Sequence, residues 1–428
     1  MLSQSLVENK VKFVDPSWDF RTAFTKYSNH GFHTYPAMMI PQIARRLIET
    51  YGANAEVLLD PFMGSGTAIL EATLHKNFKK VYGIDINPLA LLISKVKTQI
   101  VDPKILLLEY YKLIDICETD RTQINMRQKQ IDKPKFYNIE FWFKPRAIID
   151  LAIIKNNIDK IKNNDVREFF LIALSETVRD VSNTRNHEYK LYRLSENILR
   201  KHNPDALIVF KENLKNNINC MQKYFVECNK NCKINILSED SRNKTSIRDG
   251  EVDLIVTSPP YGDSRTTVAY GQFSRLALQW LGYDNNTIFS IDKVCLGGIP
   301  AKELKNDLQS PALNKTLALI AEKDPRRALD VLSFYSDFNK CVKELDRVTA
   351  PGAFVCFVVG NRTVKGYQIP TDEIMIDLFQ AQNNYKHHNT FVRNIPHKRM
   401  PRLNSPTNIS GNHATTINEE YIFILEKQ

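Results

Sequence analysis

Apolar residues recur along both ends of the chain in two alternating patterns, which together predict an α/β fold. Short apolar runs that stop at a polar residue predict buried strands, and apolar residues at helical spacing predict helices. The strand patterns lie at 57–60, 81–85, 234–237, 252–256, 353–359 and 420–425. The helical patterns lie at 42–51, 68–74, 273–281, 334–345 and 371–380. This alternation is typical of a parallel sheet with helices on both faces.

The middle of the chain departs from this alternation. Residues 101–230 contain no glycine, are rich in asparagine, lysine and isoleucine, and carry long helical patterns such as the one at 166–181. We therefore expect a first part of the α/β domain at 1–100, a mostly helical insertion at 101–230, and the remainder of the α/β domain at 231–428. Within that remainder, residues 284–330 are expected to form a second insertion.

A strand that runs into a polar residue, two prolines and an aromatic ring carries the strongest chemical signal. The strand pattern at 252–256 leads into residues 257–261, Thr-Ser-Pro-Pro-Tyr. Proline fixes φ and lacks an N–H, so this loop is stiff and presents its carbonyls outward. The Ser258 hydroxyl and the Pro259 carbonyl can accept both hydrogens of an exocyclic amine, while Tyr261 stacks on the ring that carries it. The alternative interpretation is a structural proline-rich turn.

A glycine-containing turn predicts a second binding element. Residues 60–67, Asp-Pro-Phe-Met-Gly-Ser-Gly-Thr, join a strand directly to a helix. Glycines let the backbone approach a ligand, and a helix start offers free N–H groups. The next strand ends at Asp85, which can bind a ribose or merely cap a helix. The dinucleotide fingerprint G-x-G-x-x-G is not met, because Ile69 occupies the place of its third glycine, and the Walker pattern is also missing. A nucleoside cofactor that needs no phosphate-binding loop, such as S-adenosylmethionine, therefore fits.

The composition is that of an ordinary soluble globular protein with a polyanionic partner. Hydrophobic residues make up 43% of the 428 residues and charged residues 25%. No run approaches the ~20 apolar residues of a membrane span, and the start of the chain lacks the layout of a signal peptide. We therefore expect a cytoplasmic protein with no membrane partner. The cysteines have no zinc-site spacing, so no metal site is expected, and the net charge of +10 suits a polyanion.

A basic stretch near the end of the chain is a candidate for contacting phosphates. No acidic residue occurs from 378 to 418, and prolines and asparagines predict a loop at 385–413. Basic side chains on such a loop can bind a nucleic-acid backbone. The polar loop that follows residue 261 is a second candidate. We therefore predict nucleic-acid contacts from Arg265, Arg393, Lys398, Arg399 and Arg402.

The loops at 60–67 and 257–261 together resemble those of the amino-group DNA methyltransferases. Such enzymes methylate N4 of cytosine or N6 of adenine with S-adenosylmethionine, and the glycine loop comes first here, which is their gamma-like order. The resemblance implies a Rossmann-like methyltransferase sheet, site-specific action on double-stranded DNA, and extrusion of the target base into the pocket. It implies catalytic roles for Ser258, Pro259, Pro260 and Tyr261. It implies cofactor contacts from His33, Tyr35, Pro36, Asp60, Pro61, Phe62, Gly64, Ser65, Gly66, Thr67, Asp85, Ile86, Asp240 and Ser258.

Several alternatives stay open at the level of the sequence. Serine before the two prolines favours cytosine N4, because adenine-N6 enzymes of this family usually carry Asp or Asn there. A guanine-N2 methyltransferase of structured RNA and a catalytically silent DNA-binding specificity or regulatory protein are further alternatives. The insertion at 101–230 is a candidate for contacting DNA, although the target-recognition region of this family usually lies elsewhere. A cognate restriction endonuclease is a candidate partner.

Overall fold

The N-terminal part of the protein contributes three strands of a central eight-stranded sheet. The computed structural model describes residues 11–185, 188–395, 403–404, 414–415 and 417–428. The elements of this N-terminal part are β1 (Lys12–Val14), two short 3-10 helices (Pro16–Trp18 and Ser28–Gly31), α1 (Pro41–Tyr51), β2 (Val57–Asp60), α2 (Thr67–Leu74), β3 (Lys80–Ile84) and α3 (Pro88–Thr98).

The middle of the chain is helical, as its sequence predicts. The elements here are α4 (Pro103–Asn125), α5 (Ile139–Trp142), α6 (Pro145–Ile158), α7 (Asn164–Val181), α8 (Glu196–Lys201) and α9 (Ala206–Glu227). Proline occupies the first turn of α4 and of α6, where its missing N–H costs nothing. Buried residues such as Leu151, Phe169 and Phe210 share one apolar core between these helices. No helix in the described part of the chain is long and apolar enough to cross a membrane.

The rest of the chain completes the sheet. Its elements are β4 (Lys233–Leu237), β5 (Val252–Thr257), α10 (Tyr270–Leu281), α11 (Asn285–Val294), α12 (Pro311–Lys323), α13 (Pro325–Val348), β6 (Thr349–Gly360), β7 (Thr363–Val364), β8 (Tyr367–Gln368), α14 (Thr371–Gln380), β9 (Tyr385–Asn394), β10 (Leu403–Asn404), β11 (Ala414–Thr415) and β12 (Glu419–Lys427). The pairs β7–β8 and β10–β11 are separate two-stranded ribbons.

The sheet is mostly parallel and has helices on both faces. Its strand order is β1-β9-β12-β6-β5-β2-β3-β4, and β12 runs antiparallel to both of its neighbours. Side chains alternate between the faces along each strand. Leu58 and Leu254 join one buried core, while their neighbours Leu59 and Ile255 join the other. The predicted Rossmann-like sheet with helices on both faces is confirmed.

The loop predicted at 385–413 is wrong over its first ten residues, which form β9. This strand pairs with β1 on one side and β12 on the other. The polar side chains of β9 interrupt the apolar pattern that predicts a strand. The strand accommodates them because they pair with acidic side chains of the neighbouring strand. His388 contacts Glu426 at 2.6 Å and Arg393 donates to Glu420 at 2.7 Å. The acids that neutralise this basic segment therefore come from β12, beyond the stretch without acidic residues.

Candidate active site

A cleft opens where the order of the strands reverses. From β2 the chain moves outward to β3 and β4, then returns to β5 on the other side of β2. Open α/β sheets bind ligands at the carboxyl ends of the strands at such a reversal. The cleft there has about 900 Å³ of empty space, part of it open to solvent. Its lining includes Tyr35, Pro36, Asp60, Pro61, Phe62, Gly64, Ser65, Thr67, Asp85, Ile86, Asp240 and Ser258.

The glycine turn between β2 and α2 needs both of its glycines. Gly64 has φ of 49° and Gly66 has φ of 78°, in the left-handed region that side chains disfavour. A Cβ on Gly66 would lie 2.8 Å from the Ser94 hydroxyl, which itself donates to the Gly64 carbonyl at 2.8 Å. Gly66 does not line the cleft, so its role in the turn is conformational.

Asp60 and Asp85 are two of the acidic residues that line this cleft. Asp60 accepts hydrogen bonds from the Thr257 hydroxyl at 2.6 Å and from the Phe62 amide at 3.2 Å. Asp85 accepts from the amides of Gly64 at 3.0 Å and Asn87 at 2.8 Å. Burial raises the pKa of Asp60 to about 7 and the pKa of Asp85 to about 6. Burial disfavours the charged form of each acid, and a cationic ligand beside them would favour that form and lower both pKa values.

The buried Asp60 predicts a pH dependence of stability. Its pKa of about 7 in the folded protein exceeds the value of about 4 expected in an unfolded chain. Between these values the folded state holds a proton that the unfolded state has released, so the free energy of unfolding falls as pH rises through this window. We expect the melting temperature of the ligand-free protein to fall from about pH 4 to about pH 7, and Asp60→Asn to reduce that slope. An unchanged slope in Asp60→Asn would contradict the assignment.

The segment before α1 closes one side of the cleft, but His33 does not take part. Tyr35 lines the cleft, and its hydroxyl accepts from the side-chain amide of Asn87 at 3.0 Å. His33 is buried, and its ring nitrogens contact Ser175 at 2.8 Å and Glu176 at 3.3 Å. These two partners belong to α7. His33 therefore anchors this segment to the helical part of the chain, and its predicted cofactor contact is not supported by its position.

Asp240, after β4, reaches the cleft with its carboxylate already engaged. Arg242 holds it through bonds of 2.6 to 3.0 Å, and also donates to Asp337 at 3.0 Å and to the Val294 carbonyl at 2.7 Å. Burial raises the pKa of Asp240, but the bonds from Arg242 outweigh it and lower the pKa overall. The carboxylate is therefore fixed in place as an anion at the edge of the cleft.

The loop after β5 brings its serine to the cleft and its tyrosine into contact with Glu420 of β12. Ser258 and Pro260 line the cleft, whereas Pro259 and Tyr261 do not. The Tyr261 hydroxyl donates to Glu420 at 3.0 Å and lies 3.3 Å from the Ser258 hydroxyl. Burial and the nearby Glu420 raise the pKa of Tyr261 well above its ordinary value, so the phenol keeps its proton. Since Thr257 bonds to Asp60, the loop is tied directly to the glycine turn.

The predicted phosphate-binding residues are distributed differently from the expectation. Arg393 is buried and paired with Glu420, so it does not present its guanidinium to a phosphate, which corrects that prediction. Arg265 lies on the surface loop but is paired with Asp330. Lys398, Arg399 and Arg402 lie outside the described residues.

Some residues that line the cleft escaped sequence reasoning, among them Glu239, Tyr270 and Cys295. Glu239 shares the signal that identified Asp240, because both acids follow the end of β4. Tyr270 begins α10 and stacks on Tyr35, with ring centroids 5.9 Å apart. No local pattern marks Tyr270, since its position depends on how α10 folds back over the cleft.

Comparison with known proteins agrees with this architecture. A family described as DNA methylase, covering N6 and N4 enzymes, matches residues 3–95. The chain is 44% identical to the type II methyltransferase M.MvaI of Kocuria varians, over 95% of this chain and 93% of that protein. It is 23% identical to the type II methyltransferase M.MjaII of Methanocaldococcus jannaschii, over 54% and 59% of the two chains. It is 22% identical to the type II methyltransferase M.BsoBI of Geobacillus stearothermophilus, over 81% and 76%. With almost its whole length aligned to M.MvaI at that identity, the chain belongs to the type II DNA methyltransferases of the N4/N6 amino-group family, which use S-adenosylmethionine.

Proposed function

We propose that this enzyme methylates the N4 amino group of cytosine at a specific site in double-stranded DNA. The observation that carries the proposal is the position of Ser258, at the start of the Pro-Pro-Tyr loop and on the lining of the cleft. Serine in this position is commoner among cytosine-N4 members of the family, whereas adenine-N6 members usually carry Asp or Asn. A hydroxyl is neutral, so it can accept a hydrogen from the amine without placing a further charge beside Asp60.

The cleft fits S-adenosylmethionine. In the proposed arrangement Asp85 accepts the ribose hydroxyls, the turn of Gly64 and Ser65 supports the methionine end together with Tyr35, and Asp240 lies near the adenine. A cationic ligand beside Asp60 and Asp85 would favour their ionised forms, which burial disfavours. When bound, S-adenosylmethionine would supply an electrophilic methyl group to the amine that the Ser-Pro-Pro-Tyr loop orients.

The Ser-Pro-Pro-Tyr loop orients the acceptor amine. The Ser258 hydroxyl and the Pro259 carbonyl accept its two hydrogens, which draws the nitrogen lone pair out of conjugation with the ring. Tyr261 stacks on the base once the base has left the helix, since bases are extruded for chemistry of this kind. The hydrogen bond from Thr257 to Asp60, at 2.6 Å, would keep this loop in register with the cofactor.

Recognition of the DNA is assigned to residues outside the cleft. We propose that Lys398, Arg399 and Arg402 contact phosphates, that the mostly helical segment at 101–230 also contacts the duplex, and that the α/β parts at 1–100 and 231–428 carry the chemistry. The type II relatives support a restriction endonuclease as the biological partner. Duplex DNA treated with this enzyme should then resist one type II endonuclease that cuts the untreated DNA.

The product of the reaction tests the choice of base. Unmodified duplex DNA is incubated with the protein and methyl-labelled S-adenosylmethionine, digested to nucleosides and analysed by mass spectrometry. We expect the label in N4-methylcytosine. Label in N6-methyladenine would overturn the inference drawn from Ser258. Label in transfer RNA incubated in parallel, with none in DNA, would contradict the proposed substrate. A parallel reaction with Ser258→Ala, which removes the hydroxyl alone, controls for a contaminating methyltransferase.

A further inference from the structure

A residue of the last strand is built into the Ser-Pro-Pro-Tyr loop. Glu420 lies on β12, directly opposite Gly360 of β6 and Arg393 of β9. Its carboxylate accepts one hydrogen bond from the Tyr261 hydroxyl at 3.0 Å and another from the Arg393 guanidinium at 2.7 Å. Gly360 makes room for this contact, because a Cβ there would lie 2.8 Å from the Tyr261 ring.

The chemistry of these groups fixes the direction of each hydrogen bond. An ionised carboxylate only accepts hydrogen bonds, and a guanidinium only donates them. The single proton of the Tyr261 hydroxyl is therefore committed to Glu420. The contact of 3.3 Å between the hydroxyls of Tyr261 and Ser258 must then run the other way, with Ser258 as the donor. Once its own proton is used in this bond, the Ser258 oxygen can act toward a ligand in the cleft only as an acceptor.

Burial keeps this chain of hydrogen bonds in one state. The side chain of Arg393 is 4% exposed and that of Glu420 is 17% exposed, so water competes little for the pair. A buried carboxylate without its guanidinium would be strongly disfavoured. Arg393 is also held by the backbone carbonyls of Asp19 and Asn394, at 3.5 and 3.4 Å. The direction of the hydrogen bonds in the series Arg393–Glu420–Tyr261–Ser258 is therefore fixed.

We propose that Glu420 is a positioning residue that fixes Ser258 as a hydrogen-bond acceptor for the amine of the target base. Glu420 acts through Tyr261 and does not touch the base or the cofactor. The inference rests on the proposed role of Ser258, and it adds a residue that is remote in sequence from both loops. The same series of hydrogen bonds would prepare Ser258 to accept from a cytosine or an adenine amine, since both present N–H donors.

Glu420→Gln provides an isosteric test because it should reverse the direction of the hydrogen bonds from Glu420 through Tyr261 to Ser258. Arg393 can only donate, so the glutamine must turn its carbonyl oxygen toward Arg393 and its NH2 group toward Tyr261. The Tyr261 hydroxyl then donates its hydrogen bond to the Ser258 oxygen. The Ser258 hydroxyl proton is left to point at the amine of the base, which it repels. We expect Glu420→Gln to lower kcat by about 10- to 100-fold, which corresponds to one unsatisfied buried hydrogen bond. The affinity for S-adenosylmethionine should remain unchanged.

A double-mutant cycle separates this reversal from damage to the fold. Tyr261→Phe removes the hydroxyl that transmits the reversal and should lower kcat by about two- to tenfold. The double variant Glu420→Gln/Tyr261→Phe should then match Tyr261→Phe alone. Rates are expressed per cofactor-binding site, so that loss of folded protein cancels. An equal loss from Glu420→Gln in both backgrounds, or full kcat in Tyr261→Phe, would overturn the proposal.

Glu419→Gln is the matched control on the same strand. Glu419 is exposed and accepts only from the Tyr421 hydroxyl among the contacts of the described residues, at 3.1 Å, so this variant should keep wild-type kcat. The wild-type product identifies the base, whereas the ratios among the variants test the hydrogen-bond chain. N6-methyladenine as the product would overturn the choice of cytosine and leave these ratios as they are. The two proposals can therefore fail separately.

Discussion

Replacing Asp85 by alanine is expected to weaken the binding of S-adenosylmethionine by about 100-fold or more, because two charge-assisted hydrogen bonds to the ribose would be lost. The same change leaves the amides of Gly64 and Asn87 without their acceptor, which loosens the glycine turn. Both effects act on the cofactor and neither acts on the Ser-Pro-Pro-Tyr loop. Isothermal titration calorimetry with S-adenosylmethionine measures the loss, and kcat at saturating cofactor should fall far less.

Asp253→Ala is the matched control for Asp85→Ala. Asp253 also accepts two backbone amides, those of Glu56 and Val57, at 3.0 and 2.9 Å. It lies near the start of β5, at the end of the sheet away from the cleft. This variant should lower the melting temperature while leaving cofactor affinity intact. Wild-type affinity in Asp85→Ala would contradict the proposed ribose contact.

Tyr261→Ala is expected to lower kcat by about 100- to 1,000-fold while cofactor affinity stays within about threefold of wild type. Stacking of an aromatic ring on a base contributes about 1–3 kcal/mol, and the alanine variant also loses the hydrogen bonds to Ser258 and Glu420. The ring does not line the cleft, so the cofactor should bind as before. Single-turnover methyl transfer to duplex DNA measures the first effect, and calorimetry measures the second.

Tyr261→Phe separates the two contributions of that side chain. It keeps the ring and removes the hydroxyl, so it should retain most of the turnover that the alanine variant loses. Equal losses in the two variants would mean that the ring contributes nothing by stacking. Loss of cofactor binding in Tyr261→Ala would contradict the division of roles between Tyr261 and Asp85.

The elements that form the cleft were predictable because their signals are local. A strand buried on both faces is a short continuous apolar run, and β2 spans Val57–Asp60 as its pattern indicates. Helix α14 likewise covers Thr371–Gln380, the range of its helical spacing. The loops after β2 and β5 could be placed at one edge because parallel strands align their carboxyl ends. The meeting of Asp60 and Thr257 follows from that topology.

The elements that were missed depend on partners distant in the sequence. The sequence of β9 alone resembles that of a basic loop. In the structure β9 pairs with β12, whose Glu420 and Glu426 form ion pairs with Arg393 and His388. Because Arg393 is buried in its ion pair with Glu420, it is not available to contact DNA. The same Glu420 also accepts a hydrogen bond from Tyr261. The position of His33 likewise depends on distant residues, because its partners Ser175 and Glu176 lie on a helix far along the chain. Spacing within a segment contains no information about such contacts.

We propose that one cleft, at the reversal between β2 and β5, holds the cofactor against the Ser-Pro-Pro-Tyr loop. A crystal structure of the protein with S-adenosylhomocysteine tests this arrangement. We expect the ribose hydroxyls within hydrogen-bond distance of Asp85 and the sulfur atom facing Ser258. A ligand bound outside this cleft, or bound with its ribose remote from Asp85 and its sulfur remote from Ser258, would rule this arrangement out.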